Sequence, residues 1–166
     1  MRFLTKDECA AWAEARGHGG KTAARELPHI EVSLPSQPSY FSFCRALAEA
    51  IEPRTSCLLW IVQHGIWPSS ENWHLYYRLR QSYGEQRLLH EAPGRLFLDY
   101  ESPDLVSFLQ ITLACGWDAE VIPQLSYGET GSSRVFISHG EFIVLAHCDQ
   151  TIVEKWQASF ESWLKD

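Results

Sequence analysis

The residues best suited to chemistry in this chain are histidines, cysteines and serines that stand beside acids. His147, Cys148 and Asp149 are consecutive, and together they supply the base, nucleophile and acid that a thiol enzyme uses. Adjacent residues on a strand point to opposite faces, whereas a working cysteine–histidine pair normally comes from separate segments. Asp149 also fits the N-cap of the last predicted helix. We therefore expect a structural role for this trio.

A second group of side chains, four histidines and two glutamates, could meet around a metal ion. No pair among them has the i, i+4 spacing of a helical zinc motif. His139 and Glu141 flank Gly140, which is the pattern of a turn histidine and a solvated glutamate. We therefore expect no metal and no catalytic residue from this group. Its members are His64, His90, His139, His147, Glu91 and Glu141.

Other catalytic and cofactor motifs are missing or lack the required spacing. Serines lie near acids at 69–71 and 138–141, but neither place carries the nucleophile elbow of a serine hydrolase. The glycine-rich stretch 17–21 follows a predicted helix and lacks the spacing of a phosphate-binding loop, so it reads as a helix end. No dinucleotide-binding fingerprint follows any predicted strand. We expect no cofactor.

The cysteines favour packing over catalysis or metal binding. They are odd in number, widely spaced, and contain no CxxC pair. Three of them lie in apolar stretches, where a free thiol behaves as a small hydrophobic group. We expect all of them to be reduced and structural: Cys9, Cys44, Cys57, Cys115 and Cys148.

Aromatic residues concentrate in residues 57–83, where an apolar strand at 57–62 stops and a helix begins after a Pro-Ser-Ser sequence. Functional sites in open α/β sheets gather beyond the ends of strands, and this loop occupies such a position. In the helix, Leu75 and Leu79 form the predicted core stripe, which leaves a second, aromatic stripe on a neighbouring face. The interpretation as a binding surface competes with a simpler one, in which these rings pack against neighbouring elements. The predicted binding residues are His64, Trp67, Trp73, Tyr77 and Arg80.

The elements that must position these residues alternate along the chain. Thr5 and Glu8 have capping-box spacing, 29–34 suits a short edge strand, and 134–138 with 141–147 predict a hairpin around His139-Gly140. This order predicts the α/β class, with α+β as the near alternative: a mixed sheet of about five or six strands with helices packed on it. The predicted core comprises Leu58, Trp60, Val62, Leu105, Phe108, Leu109, Ile137, Phe142, Val144, Trp156 and Phe160.

Composition and charge limit the function classes. The 166 residues, 45% hydrophobic and 21% charged, predict one globular domain over 1–166, in which the N-terminal helix and glycine-rich connection of 1–27 could be peripheral. No apolar run approaches a membrane span, and charged residues follow residues 1–4 at once, so we expect a cytoplasmic protein without membrane contact. A formal net charge of −7 disfavours nucleic acid and suits a basic protein partner. A homo-oligomer stays open.

Two functions from different classes are consistent with these patterns. The first is a non-enzymatic binding protein that engages a protein partner, for instance an acidic inhibitor or an immunity-type protein. The second is a small hydrolase or transferase whose polar residues converge only in three dimensions, at the strand-end loop around His64.

Overall fold

A seven-stranded antiparallel sheet organises the molecule, for which we obtained a computed structural model that describes residues 2–16, 25–51, 54–64, 71–125, 133–138 and 141–164. Its strands are β1 (Arg2–Leu4), β2 (His29–Ser33), β3 (Arg54–Gln63), β4 (Gly94–Leu98), β5 (Asp118–Leu125), β6 (Ser133–Ser138) and β7 (Phe142–His147). They are ordered β1-β4-β3-β5-β6-β7-β2 across the sheet.

Five α-helices occur in the described residues, and their ends follow local capping chemistry. The helices are α1 (Lys6–Glu14), α2 (Tyr40–Ala50), α3 (Glu71–Ser82), α4 (Ser102–Cys115) and α5 (Gln150–Ser159). The predicted capping box of Thr5 and Glu8 is present at the start of α1. Asp149 caps α5 by accepting from the Thr151 amide, and Gly116 ends α4 with a φ of 64°.

The main core lies on the sheet face that α2, α3, α4 and α5 cover. Its centre is Phe108 of α4, which is fully buried and makes ring contacts with Tyr76 at 5.5 Å and Phe97 at 5.5 Å between centroids. Edge-on aromatic pairs of this kind add to the free energy of burial. This face therefore carries most of the packing that holds helices and sheet together.

The second sheet face carries two smaller clusters. In the first, α1 lies over β4, where a Cβ on Gly94 would collide with the Sγ of Cys9. Only glycine therefore allows the helix to approach this closely. In the second, Leu27 packs beside the outward-facing side chains of the β6–β7 hairpin, which are Phe136, Phe142, Val144 and Ala146.

The predicted α/β class, helices packed on one sheet, is confirmed. The sheet has seven strands, slightly more than the five or six expected, and all its pairings are antiparallel where a mixed sheet was expected. β3 is an interior strand, and β2 lies at one edge, as predicted. At the other edge, β1 was not predicted, because three residues are too few to show a periodic pattern.

The late hairpin is present, but its predicted two-residue turn is wrong. Ser138 pairs with Phe142, and the amide of Glu141 donates to the Ser138 carbonyl at 2.7 Å, so three residues connect the strands. The turn is one residue longer than predicted, so each residue of β6 pairs with a residue of β7 one position later than expected. The apolar side chains that share a face therefore differ from the predicted sets. Val135 and Ile137 share the helix-covered face with Ile143 and Leu145, not with Phe142 and Val144. The turn residues His139 and Gly140 lie outside the described residues.

Most of the predicted core is buried, with two corrections. Val62 is 46% exposed, because alternation along β3 turns it to the second face beyond the cover of α1. Trp60, on the same face, is half-buried against the α1 cluster. The other nine predicted core residues are buried: Leu58, Leu105, Phe108, Leu109, Ile137, Phe142, Val144, Trp156 and Phe160.

Candidate binding surfaces

The face of α3 that turns to the core differs from the predicted one. Leu75 is 51% exposed, whereas its neighbour Tyr76 is fully buried against Trp117 and Phe108. Consecutive helical residues differ by about 100° in direction, so this one-residue change moves the core stripe of the helix. The prediction that Leu75 and Leu79 form the core side is therefore wrong for Leu75.

Arg80, one of the predicted binding residues, is fully buried. One guanidinium nitrogen, Nη1, donates to the Ala92 carbonyl at 2.8 Å, and Nη2 donates to the Arg87 carbonyl at 3.1 Å. Its guanidinium carbon lies 5.1 Å from the centre of the Phe3 ring. Through these two hydrogen bonds, Arg80 connects α3 to the segment 87–92 that follows it.

Tyr77 takes part in the same attachment. It is half-buried, and its hydroxyl accepts a hydrogen bond from the Leu89 amide at 2.8 Å. The stripe that contains Tyr77 and Arg80 thus finds a neighbouring element of its own chain. Trp67 lies outside the described residues, as does the side chain of Trp73.

His64 stands just after β3, at the strand end where the sequence places it. Its half-buried ring contacts Trp117 edge-on at 6.5 Å between centroids. Burial lowers the pKa of His64, and the nearby His90 lowers it further. His64 therefore favours its neutral form near pH 7.

In the trio at the end of β7, Asp149 caps a helix as the sequence predicts. The Nδ1 atom of His147 accepts from the Asp149 amide at 2.8 Å, and its ring packs edge-on against Trp156. The Asp149 carboxylate caps α5, while Cys148 is exposed. Nδ1 of His147 is thus occupied by a backbone amide. Across the described part of the chain, no three His, Cys, Asp or Glu residues are grouped as metal ligands.

The cysteines are free thiols with contrasting surroundings. Burial raises the pKa of Cys9 and of Cys44 to about 12, and that of Cys115 to about 11. A thiol is nucleophilic only as the thiolate, which burial suppresses. These three residues therefore serve packing.

Arg95, which the sequence analysis did not single out, is a second buried arginine. Its guanidinium lies between aromatic rings, 3.9 Å from the centre of Tyr83 and 4.2 Å from that of Phe108. Asp104 is 3.6 Å away and also accepts from the Tyr83 hydroxyl at 2.5 Å. The sequence signal was a lone charge in the apolar strand β4. Such a charge requires an internal partner, which here is Asp104.

A groove of about 530 Å³ runs between α2 and the first two turns of α4, and we call it the α2–α4 groove. Ala48 and Val106 are buried, whereas Phe41 is 59% exposed. The α2 residues lie at i, i+4, i+7 and i+8, which places them on one stripe. The groove is lined by Phe41, Arg45, Ala48, Glu49, Ser102, Pro103, Val106 and Ser107.

The groove carries one ion pair, and an exposed aromatic residue precedes its α4 side in the sequence. Arg45 donates from Nε to the Glu49 carboxylate at 2.8 Å, and both side chains are largely exposed. Tyr100, two residues before the α4 end of the groove, is 73% exposed. The sequence analysis did not predict this site. An available signal was Phe41, an aromatic residue outside the core stripe of α2, which contains Phe43 and Leu47.

Comparisons of this chain with protein-family models, with curated proteins and with solved structures found no match. Among the helices of the described segments, none combines the length and apolarity needed to cross a membrane.

Proposed function

We propose that this chain is a non-enzymatic binding protein that engages a protein partner through the α2–α4 groove. The observation that carries the proposal is a groove of about 530 Å³ with a buried apolar floor and an exposed phenylalanine at its side. Large exposed apolar groups on a folded domain typically mark an interaction site when they gather around a concave surface.

The residue types at the groove support a protein partner. Aromatic residues contribute much of the free energy of protein association, because they bury a large rigid surface with little loss of side-chain entropy. Phe41, which lines the groove, is 59% exposed, and Tyr100, two residues before the lining residue Ser102, is 73% exposed. The buried Ala48 and Val106 leave space into which a partner's side chain fits.

Within this proposal, the net charge of −7 favours an inhibitor or an immunity-type protein that masks a basic partner. Opposite charges accelerate the encounter of two proteins and favour the correct orientation. The five free cysteines fit a reducing compartment such as the cytoplasm, which the proposal includes.

A small hydrolase or transferase at the strand end is the second candidate. It is favoured by His64, a half-buried histidine whose pKa is lowered, chiefly by burial. A neutral imidazole near pH 7 can accept a proton, as a general base must.

Affinity capture from native lysate tests the two candidates with paired variants. Phe41→Ala removes the exposed ring of the groove, and Leu75→Ala truncates a similarly exposed apolar side chain on α3. We expect Phe41→Ala to retain the wild-type melting temperature and to lose the captured partner, with a binding loss of about 2 kcal/mol. Leu75→Ala should retain the partner.

Equal capture by wild type and Phe41→Ala would contradict the proposal. The second candidate predicts a different result: hydrolysis of an ester or phosphoester panel that His64→Ala abolishes and Phe41→Ala preserves.

A further inference from the structure

We infer that the segment 161–164, which follows α5, is an autoinhibitory strap: Leu164 occupies the place on the outer edge of β2 where a strand from a second copy of this chain would pair. The inference goes beyond the proposed function and concerns a different surface, the edge of the sheet.

The outer backbone groups of β2 are arranged as a template for another strand. The His147 amide donates to the Pro28 carbonyl at 3.0 Å, and β2 continues from there in regular antiparallel register with β7. Hydrogen-bonded pairs alternate along such a ladder, so Ile30 and Val32 bond to β7. The backbone amides and carbonyls of the alternate residues therefore point away from the sheet. These residues are His29, Glu31 and Ser33.

Within the described residues, one strand-type contact lies on this outer edge. Val32 forms an isolated antiparallel bridge with Leu164, which is half-buried against the main core. Trp163 anchors the same segment, because its ring packs edge-on against Phe43 of α2 at 5.3 Å between centroids. An apolar side chain in strand-pairing position is what an added strand would present, so Leu164 competes with such a strand for the edge.

The sequence of β2 suits pairing with itself. When Ile30 of a second copy takes the place of Leu164 opposite Val32, the two-fold symmetry of the dimer creates this pair twice. Cross-strand pairs of β-branched residues stabilise antiparallel sheets. Glu31 then faces Glu31 of the second copy, and Arg25, which binds the Glu31 carboxylate at 2.7 Å, offsets this repulsion in each copy.

Point variants of the full chain test the strap. Leu164→Ser removes its apolar side chain, and Leu75→Ser makes the same change at an exposed leucine of α3. Sedimentation velocity gives the dimer dissociation constant, measured at high salt, which screens the charge of −7 on each copy. We expect Leu164→Ser to dimerise at least about tenfold more tightly than the wild type, because the edge is open in a larger fraction of molecules. Leu75→Ser should match the wild type.

A second strap variant, Trp163→Ala, removes the anchor and leaves Leu164 in the chain. It should dimerise more tightly than the wild type, as Leu164→Ser does. The far-UV circular dichroism spectrum of each variant should match that of the wild type, which distinguishes edge pairing from association of unfolded chains.

Disulfide crosslinking tests the pairing register. The background is Leu164→Ser with Cys148→Ser, which removes the exposed native thiol. Glu31→Cys places two sulfurs across the two-fold axis, where the Cα atoms of a hydrogen-bonded pair are about 5.5 Å apart. Ser33→Cys is the matched control, because its two copies would be four residues apart along the strands, or roughly 13 Å. We expect a disulfide-linked dimer from Glu31→Cys and none from Ser33→Cys.

Three results would overturn the inference: equal dimer dissociation constants for Leu164→Ser and the wild type, equally tight dimerisation of Leu75→Ser and Leu164→Ser, or equal crosslinking from both cysteine positions. The first result would show that Leu164 does not block the edge. The second would show that loss of any exposed leucine has the same effect, and the third that the copies do not pair through β2.

Discussion

Two buried arginines, Arg80 and Arg95, show how single residues set the packing of this protein. Both guanidinium groups lie near the ring of Phe3, at 5.1 and 5.3 Å from its centre. Arg80 bonds to backbone carbonyls and Arg95 pairs with Asp104, so each buried cation has an internal partner. Buried charges are tolerated only under this condition, and losing a partner is costly.

Replacing Arg80 should therefore affect folding more than binding. Arg80→Ala removes the donor to the buried Ala92 carbonyl and to the part-buried Arg87 carbonyl, and we expect a loss of about 3 kcal/mol in unfolding free energy. Arg78→Ala, at an exposed position of the same helix, should stay within about 0.5 kcal/mol of the wild type. Urea denaturation measures both.

Hydrogen exchange adds a local readout, because the Leu89 amide should lose protection in Arg80→Ala. An unchanged denaturation midpoint combined with weakened partner binding would instead restore Arg80 as a contact residue.

Residue-level prediction failed on α3 for a physical reason. Periodicity assigns apolar residues to the core, and by that rule Leu75 faces inward. The structure buries Tyr76 and Arg80 instead, because the phenol ring and the guanidinium find aromatic and carbonyl partners in distant segments. Such partners are set by tertiary structure, which local spacing does not reveal.

At the scale of the elements, α1 packs closely on β4 at Gly94. Cys9 lies directly over Gly94, and its Sγ is 3.9 Å from the Leu4 carbonyl. Leu58 lies on the other side of the same position, so a methyl group there has little free space. This contact determines how near α1 can lie to the sheet.

Gly94→Ala should consequently be destabilising, by about 1–3 kcal/mol, as expected when a methyl group is forced into a filled core. Cys9→Ala removes the sulfur that the new methyl group would meet. The Cys9→Ala, Gly94→Ala double variant should then be more stable than the sum of the single effects predicts, by about 1 kcal/mol. Thermal or urea unfolding of the four proteins gives the coupling, and strictly additive effects would refute this close packing.

Elements with a local signal were predictable, and those without one were not. The capping box of α1 and the N-cap of α5 are encoded within four residues, and both are confirmed. The hairpin was predicted because two apolar runs flank a glycine. Its register was missed by one residue, since turn length depends on the conformation of the loop.

At the scale of the whole molecule, the two sheet faces are covered unequally. Of the five described α-helices, α2, α3, α4 and α5 cover one face of the sheet, and α1 packs on the other face. The α2–α4 groove opens on the helical layer, where no further described element lies over it. A protein partner bound there would pack on the helical layer of the domain.

The class of the fold could be predicted from the sequence, whereas the strand order and the groove could not. The antiparallel pairing of β3 with β5 joins segments separated by about 60 residues, including two helices. The groove likewise needs α2 and α4 side by side, although they are far apart in sequence. Phe41 alone gave a local signal, as an aromatic residue outside the core stripe.

Photo-crosslinking from the groove tests the central claim most directly. A photoreactive phenylalanine analogue is placed at Ser107, an exposed residue of the groove, and separately at Gln81, an exposed residue of α3. We predict that position 107 crosslinks one protein from native lysate, that position 81 does not, and that Phe41→Ala abolishes the crosslink. A crosslink from position 81 with none from position 107 would contradict the assignment of the α2–α4 groove as the binding surface.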